Sequence, residues 1–139
     1  MLVLDTNVLA ALMLPSVPRL VVEWLARQEP AELHTTAVTE AETLAGLAAM
    51  PGGQRRAIRA AVAHEILNED LAGRVLTFDR AAALAYAGLY ALRQRAGLGV
   101  ATADLVIAAI AFVYGAAVVT RNTSDFAGLG LDLINPWAA

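Results

Sequence analysis

The 139-residue sequence contains no cysteine. The chain therefore forms no disulfide bridge, no thiolate metal site and no cysteine nucleophile, which fits a protein of the reducing cytoplasm. The first fifteen residues are apolar, but they lack the basic lead segment of a secretory signal and carry Asp5 where its apolar core would be. We therefore expect a buried strand at this end of the sequence, and a cytoplasmic protein.

Lysine is also absent, and all ten basic residues are arginine. This absence excludes any mechanism that needs a catalytic or phosphate-binding lysine. Charged residues make up only 17% of the chain, against about 25% in an ordinary soluble protein, so much apolar surface must be covered. We predict a homodimer, a protein partner or both.

The net charge of −3 is unfavourable for nucleic-acid binding, because phosphate contacts normally need a basic surface. Setting aside the four carboxylates singled out below reduces the 13 acidic residues to 9, against 10 arginines. A bound divalent cation would add further positive charge. The overall charge therefore does not exclude a nucleic-acid substrate.

Short apolar runs alternate along the chain with longer segments of helical period. The run Leu2-Val3-Leu4 ends at Asp5 and is typical of a buried parallel strand followed by a helix. Thr36 and Asp79 are placed to cap later helices. Further strands are predicted over residues 32–36, 74–78, 116–120 and 132–134, and helices over residues 18–27, 37–50, 54–71, 80–95 and 102–114. This order predicts one domain over residues 1–139, a three-layer α/β/α sandwich with a mainly parallel central sheet.

Residues 101–119 are apolar enough to suggest a membrane span. The segment contains Asp104, however, and is broken by Gly115. We therefore predict a buried helix followed by a buried strand, and no association with a membrane.

Four acidic residues fall where the predicted elements meet one edge of the sheet. Asp5 closes the first strand, and Asp125 lies in the loop after the fourth. Glu42 and Asp104 lie in the first turns of helices entered from the same edge, where a helix N-terminus favours negative charge. In an open parallel sheet the ligand crevice lies at the carboxyl ends of the strands, so we expect the four side chains to converge there.

Such a group of carboxylates is stable only if protons or a hard cation neutralise it. Mg²⁺ or Mn²⁺ is the natural occupant, and the chemistry that it supports is phosphodiester hydrolysis by an activated water. The two histidines, His34 and His64, lack ligand-like spacing, and this chemistry needs neither.

Four segments resemble the motifs of PIN-domain ribonucleases in both order and spacing. They are residues 4–9, 36–46, 103–109 and 119–126. The resemblance spans the whole chain and is closest to bacterial toxins of the VapC and FitB type, from type II toxin–antitoxin pairs. It implies a PIN-like sandwich, a Mg²⁺ or Mn²⁺ site, an RNA substrate, a homodimer and inhibition by a small cognate antitoxin.

The resemblance also implies roles for individual residues. Asp5 and Asp104 would bind the metal, Glu42 would bind it directly or through water, and Asp125 would complete the acidic cluster. Other polar residues would order the site or contact the substrate; these are Thr6, Asn7, Thr39, Thr120, Arg121 and Asn122.

Two of these assignments have a competitor in the sequence. Glu40 and Glu42 lie about 200° apart on a helix, so only one of them faces the site, and the Thr-x-x-Glu spacing of the family selects Glu42. Some relatives carry an aspartate where this chain has Asn122, so Asn122 competes with Asp125 for the fourth position.

Each acidic residue also has an ordinary structural role. Asp5, Asp104 and Asp125 are suited to cap helices or turns, and Glu42 to face solvent. Arg55, Arg56 and Arg59 form a basic helix face, for which a solvated surface is favoured over RNA binding. Arg121 is the better candidate for a phosphate contact, because its guanidinium pairs with phosphate oxygens. The joint placement of the four acids favours the metal site.

Two other functions are weighed against the nuclease. An aspartate after the first strand also begins phosphatase sites that resemble haloacid-dehalogenase enzymes, in which it is the nucleophile. Those sites expect a second aspartate two residues later and a lysine, whereas this chain has Asn7 and no lysine. The same absence disfavours a response-regulator receiver domain. A PIN-like protein-binding module without catalysis is disfavoured by the intact acids.

Overall fold

The computed structural model describes residues 1–99 and 101–138, and its centre is a five-stranded parallel sheet. The strands are β1 (Leu2–Leu4), β2 (Leu33–Thr36), β3 (Val75–Leu76), β4 (Ala117–Val119) and β5 (Leu133–Ile134). They lie in the order β3-β2-β1-β4-β5, and every pairing in this order is parallel. The central strand is β1, in which Leu2 is opposite Leu33 on one side and Ala117 on the other.

Within the described residues, six α-helices connect the strands. They are α1 (Thr6–Leu12), α2 (Arg19–Ala26), α3 (Ala37–Ala49), α4 (Gln54–Glu65), α5 (Arg80–Arg95) and α6 (Thr102–Val113). Short 3₁₀ turns at Pro30–Glu32 and Thr123–Phe126 precede β2 and β5. The predicted order of strands and helices is confirmed.

The sheet lies between two hydrophobic cores. Successive side chains of a strand point to opposite faces, and β1 shows this alternation directly. Val3 packs with Ile107 and Ala108 of α6 on one face, whereas Leu4 packs with Val8 and Trp24 on the other. The predicted α/β/α sandwich is therefore confirmed.

Two helix caps predicted from the sequence are present. The Thr36 hydroxyl accepts the N–H of Thr39 at 3.1 Å and begins α3. The Asp79 carboxylate accepts the N–H of Ala82 at 2.9 Å and begins α5. These caps satisfy N–H groups that the first turn of a helix leaves without a partner.

Two element boundaries differ from the prediction by more than one residue. The third strand has two residues rather than five, because β3 is the edge strand and pairs only with β2. The helix predicted over residues 54–71 ends at Glu65 and continues as a π-helical turn over Ile66–Asp70, which buries Ile66 and Leu67 in the second core. Within the described part of the chain, no helix is both long and apolar enough to cross a membrane. The predicted final residue of the domain, Ala139, lies outside the described residues.

Candidate active site

The site begins where β1 and β4, two neighbouring strands, reach their carboxyl ends. Asp5 follows β1 and Thr120 follows β4. The N–H of Asp5 donates to the carbonyl oxygen of Val119 at 2.9 Å, so the ladder continues to the first residue of the site. Strand pairing therefore fixes the Asp5 backbone against β4.

The Asp5 side chain is held by three donors. One oxygen, Oδ1, accepts the N–H of Thr6 at 2.8 Å; the other, Oδ2, accepts the Thr120 hydroxyl at 2.8 Å and the Asn7 amide at 3.2 Å. The side chain is only 5% exposed. Burial raises the pKa of Asp5, the hydrogen bonds from Thr120 and Thr6 oppose that rise, and the charges of Glu42 and Asp125 add to it.

The Asn7 side chain ties the first loop to the loop after β4. Its amide nitrogen donates to the Thr120 hydroxyl at 3.1 Å, and its amide oxygen accepts the N–H of Arg121 at 3.0 Å. The Thr120 hydroxyl also accepts the N–H of Asn122 at 3.1 Å. Residues 120–122 are therefore ordered around Asp5 by side-chain hydrogen bonds.

Glu42 reaches the site from the second turn of α3. Its Oε1 accepts the Thr6 hydroxyl at 2.7 Å, a contact that Glu42 makes and Glu40, in the first turn, does not. Thr39 lies beneath it, buried, with its hydroxyl 3.1 Å from that of Thr36. The contribution of Thr39 is thus to the start of α3 rather than to a direct contact with Glu42.

Asp104 enters from the opposite side, in the first turn of α6. Its desolvation, followed by the charges of Asp5, Asp125 and Glu42, raises its pKa to about 6, while Arg93 lowers it. Desolvation is thus the main cause of the raised pKa of Asp104, and the neighbouring carboxylates add to it.

Arg93 is a site residue that sequence reasoning missed. Although it carries a charge, it is buried on α5, where its guanidinium donates to the carbonyl oxygens of Ala127 at 2.8 Å and Gly99 at 3.1 Å. The signal was available in the sequence, because Arg93 continues the buried helical face of Ala82 and Leu89. A charged residue on such a face indicates a specific partner.

A cavity of about 480 Å³ joins Arg93 to the acids; it is lined by Arg93, Gly99, Ala101, Asp104 and Asp125. Asp125 lies in the 3₁₀ turn after β4 and is exposed, with its N–H bonded to the Asn122 carbonyl at 3.1 Å. Asn122 contributes backbone hydrogen bonds to the loop, whereas the Asp125 side chain lies beside Asp104.

Arg121 lies apart from the acidic group. It is exposed, and its guanidinium stands 5.4 Å from the centre of the Trp137 ring. This cation–π contact places Arg121 on the rim of the site, next to Asn7 in a separate shallow cavity of about 220 Å³. A phosphate contact by Arg121 stays a prediction.

The chemistry of the four acids suits a hard cation. Asp5, Glu42, Asp104 and Asp125 offer only oxygen ligands, which Mg²⁺ and Mn²⁺ prefer. Burial and then repulsion between the acids raise the pKa of Asp5 and Asp104, and a cation would favour their charged forms. As the side chains stand, no three acidic or histidine side chains in residues 1–99 and 101–138 form a ready-made metal site. The chemistry of the donor set fits a hard cation, although these side chains are not arranged as a metal site in this structure.

Known proteins are similar to this chain over nearly its full length. The chain is 46% identical to VapC ribonuclease Y4jK of Sinorhizobium fredii, with 99% of this chain and 98% of that protein covered. It is 33% identical to Toxin FitB of Neisseria gonorrhoeae, with 99% of both chains covered.

Solved structures share the fold. The crystal structure of FitAcB from Neisseria gonorrhoeae matches with a TM-score of 0.88 and 31% identity, covering 100% of both chains. VapBC-5 of Mycobacterium tuberculosis, a member of the VapBC family of toxin–antitoxin systems, matches with a TM-score of 0.66 and 26% identity over 96% of both chains. The family model of the PIN domain matches residues 2–130, and the chain belongs to the PIN-domain family.

Proposed function

We propose that this protein is a Mg²⁺- or Mn²⁺-dependent endoribonuclease that acts as the toxin of a type II toxin–antitoxin pair. The observation that carries the proposal is the group of four acids at the carboxyl edge of the sheet, whose mutual repulsion contributes to an Asp104 pKa of about 6. Proteins keep such a group when its charge is used, and perturbed pKa values are typical of functional sites.

In this proposal Asp5 and Asp104 bind the cation, Glu42 binds it directly or through water, and Asp125 completes the acidic cluster. A bound divalent cation supplies Lewis acidity, a water of lowered pKa and compensation for charge on the leaving oxygen. Thr120 and Asn7 hold the Asp5 carboxylate in place by hydrogen bonds.

The remaining polar residues position the acids or the substrate. Thr6 orients Glu42 through its hydroxyl, and Thr39 fixes the start of the helix that carries Glu42. Arg121 and Asn122 lie on the loop where the RNA backbone would approach, and Arg121 carries the guanidinium suited to a phosphate.

A covalent role for Asp5, as in the phosphatase alternative, is less compatible with its surroundings. Those phosphatase sites expect an aspartate two residues after the nucleophile, whereas this chain has Asn7, whose amide donates to Asp5 Oδ2 at 3.2 Å. The lysine that such sites also expect is absent from the sequence.

We also propose an antitoxin partner and a homodimer. Support comes from the toxin names of the relatives and from exposed apolar side chains on α5 and α6, including Leu84 at 79% and Phe112 at 52% exposure. An exposed apolar surface of this kind indicates an interface. Because the proposed substrate is RNA, we place the activity in the cytoplasm. Strand β5 pairs with β4 beyond the residue where the family model ends, which supports a single domain over residues 1–139.

The test is RNA cleavage by the purified protein. Structured RNAs are incubated with Mg²⁺, with Mn²⁺ and with EDTA, and the Asp104→Asn variant is compared with the unmodified protein. We expect cleavage that needs the cation and is lost in the variant. Cleavage that survives EDTA, or that Asp104→Asn leaves unchanged, would overturn the proposal.

A further inference from the structure

A second cavity opens beside Glu42, on the side of the site away from Asp104. It has a volume of about 280 Å³ and lies between α1, α3 and α4. Thr6 and Glu42 line it, so it is continuous with the candidate active site. Its other lining residues are the apolar Ala10, Met13, Gly46, Leu47 and Met50 and the polar Thr43 and Arg59.

Two buried polar atoms of this cavity lack a hydrogen-bond partner. They are the Thr43 hydroxyl oxygen and the Arg59 Nε, and they are the only such side-chain atoms in the described part of the chain. Most buried polar atoms in proteins are satisfied, so a pair of unsatisfied ones in a single cavity indicates a missing partner. The cavity therefore offers one hydroxyl and one guanidinium to a ligand.

Arg59 differs in this respect from the neighbouring arginines. The sequence favoured a solvated face for Arg55, Arg56 and Arg59, and Arg55 is indeed exposed. The Arg56 guanidinium donates to the Met50 carbonyl at 3.5 Å. Arg59 is instead partly buried against the cavity, with no ion pair to an acidic residue among residues 1–99 and 101–138.

We propose that this cavity binds one base of the RNA substrate, next to the bond that is cleaved, and that it prefers guanine. The proposal rests on the ribonuclease function proposed above. An arginine fork pairs with O6 and N7 of guanine, and a threonine hydroxyl pairs with either kind of base atom. Met13, Leu47 and Met50 supply apolar walls for the ring, and flexible methionines let it reach the buried atoms.

The shape and charge of the cavity favour a base over other ligands. Its volume is just below the roughly 300 Å³ at which pockets begin to hold drug-sized molecules, so it suits a single ring system. Glu42 also lines the cavity, and its negative charge disfavours an anionic occupant. Such an occupant would be a phosphate or the acidic side chain of a protein partner, either of which Arg59 alone would attract. Single-stranded RNA, in contrast, presents unstacked bases whose edges carry hydrogen-bonding atoms and no charge.

The experiment compares short single-stranded RNAs that differ at one position, which carries guanine, adenine or 7-deazaguanine. The protein variants are Arg59→Gln and Thr43→Val, with Arg55→Gln as the matched control on the same helix. For the unmodified protein and Arg55→Gln we expect cleavage beside guanine to be about tenfold faster than beside adenine or 7-deazaguanine. Arg59→Gln should lose this preference for guanine, because the variant lacks the arginine fork.

Thr43→Val separates lost recognition from a damaged fold. The substitution removes a buried hydroxyl that has no partner in the free protein, so thermal stability should be unchanged or higher while the guanine preference falls. Unchanged base preference in both Thr43→Val and Arg59→Gln would overturn the proposal, even if the two variants bound a protein partner more weakly.

Binding of the same RNAs to the Asp104→Asn variant, followed by fluorescence anisotropy, distinguishes this proposal from the nuclease proposal. Guanine-selective binding that needs Arg59, together with no cleavage by the unmodified protein in Mg²⁺ or Mn²⁺, would support the cavity and contradict the nuclease proposal. Cleavage without any base preference would contradict the proposal that the cavity binds a base, and it would leave the nuclease proposal standing.

Discussion

Asp5 and Asp104 stand on opposite sides of the candidate active site, and the protein holds them in different ways. Asp5 accepts hydrogen bonds from Thr6, Asn7 and Thr120. No side-chain hydrogen bond to Asp104 occurs within the described residues; desolvation and neighbouring charges dominate its environment instead. The side of the site at β1 and β4 is therefore built by hydrogen bonds, whereas the side at α6 carries negative charge that Arg93 offsets only in part.

This difference shows how one site can fix the position of a carboxylate and also favour the binding of a cation. Hydrogen bonds from neutral donors fix the position of Asp5 without cancelling its charge. At Asp104, desolvation and then repulsion by the other acids disfavour the charged form, and a bound cation would favour it. The environment of Asp104 lowers the stability of the metal-free protein, and the same environment favours the binding of a cation.

The largest predicted effect is shared by the two aspartates. Asp5→Asn and Asp104→Asn should each slow RNA cleavage by about 100-fold or more, because loss of even an indirect partner of a metal ligand costs 10- to 100-fold. The exposed Asp132→Asn is the matched control and should leave the rate unchanged. Initial rates at saturating Mg²⁺ measure this, and near-normal cleavage by either variant would remove that residue from the site.

A smaller effect, on the free energy of unfolding, should distinguish the hydrogen-bonded side of the site from a buried position that has no hydrogen-bond partner. Thr120→Val removes the hydroxyl that donates to Asp5 and accepts from Asn7 and Asn122, which should lower the free energy of unfolding by about 1–3 kcal/mol. Thr43→Val, an equally buried threonine without a hydrogen-bond partner, should cost nothing. Urea denaturation compares them, and an equal loss in both would show that the Asp5 network adds no stability.

Asp104→Asn should stabilise the metal-free protein, by about 1 kcal/mol at pH 8. The full pKa rise corresponds to roughly 3 kcal/mol, and exposure of the side chain to solvent reduces this. The folded protein keeps the Asp104 proton to about pH 6, whereas the unfolded chain releases it near the ordinary pKa of 3.8. Stability therefore falls as the pH rises from about 4 to about 6, and the advantage of the variant should vanish below pH 4. Thermal unfolding in EDTA across this pH range measures the effect; a variant that is less stable at pH 8 would contradict it.

The smallest predicted effect concerns Arg93. Arg93→Met removes the one positive charge that lowers the pKa of Asp104, so the pH at which half of the protein binds Mg²⁺ should rise. Arg95→Met, two residues later and exposed, should not move it. Metal titrations at several pH values detect the shift, and an equal shift in both variants would rule out a specific effect of Arg93.

Much of the fold was predictable because local chemistry determines it. The run Leu2-Val3-Leu4 and the caps at Thr36 and Asp79 depend on neighbouring residues alone, and the structure has them as predicted. The length of β3 depends on its place at the sheet edge, and the π-helical turn at Ile66–Asp70 depends on packing in the second core. The spacing of hydrophobic residues along the sequence encodes neither the length of β3 nor the π-helical turn.

The residues of the candidate site also divide into those that local sequence predicts and those that depend on contacts between distant segments. Asp5 and Asp104 stood out because motifs surround them. Helical phase allowed only one of Glu40 and Glu42 to face the site, and the spacing of the family motif selected Glu42. The roles of Arg93 and Arg59 arise from contacts between segments far apart in the chain, such as Arg93 with Ala127. A single sequence read by local pattern does not contain such pairings. Helical period marks the position of Arg93 as buried, but its partners, and the burial of the Arg59 Nε, became visible only in three dimensions.

The most direct test of the account is a calorimetric titration of Mn²⁺ into the unmodified protein and the Asp104→Asn variant at pH 7.5. The account predicts saturable binding to the unmodified protein and affinity weaker by about tenfold or more in the variant. Equal affinity in the two proteins, or RNA cleavage by a protein that binds no divalent cation, would contradict it.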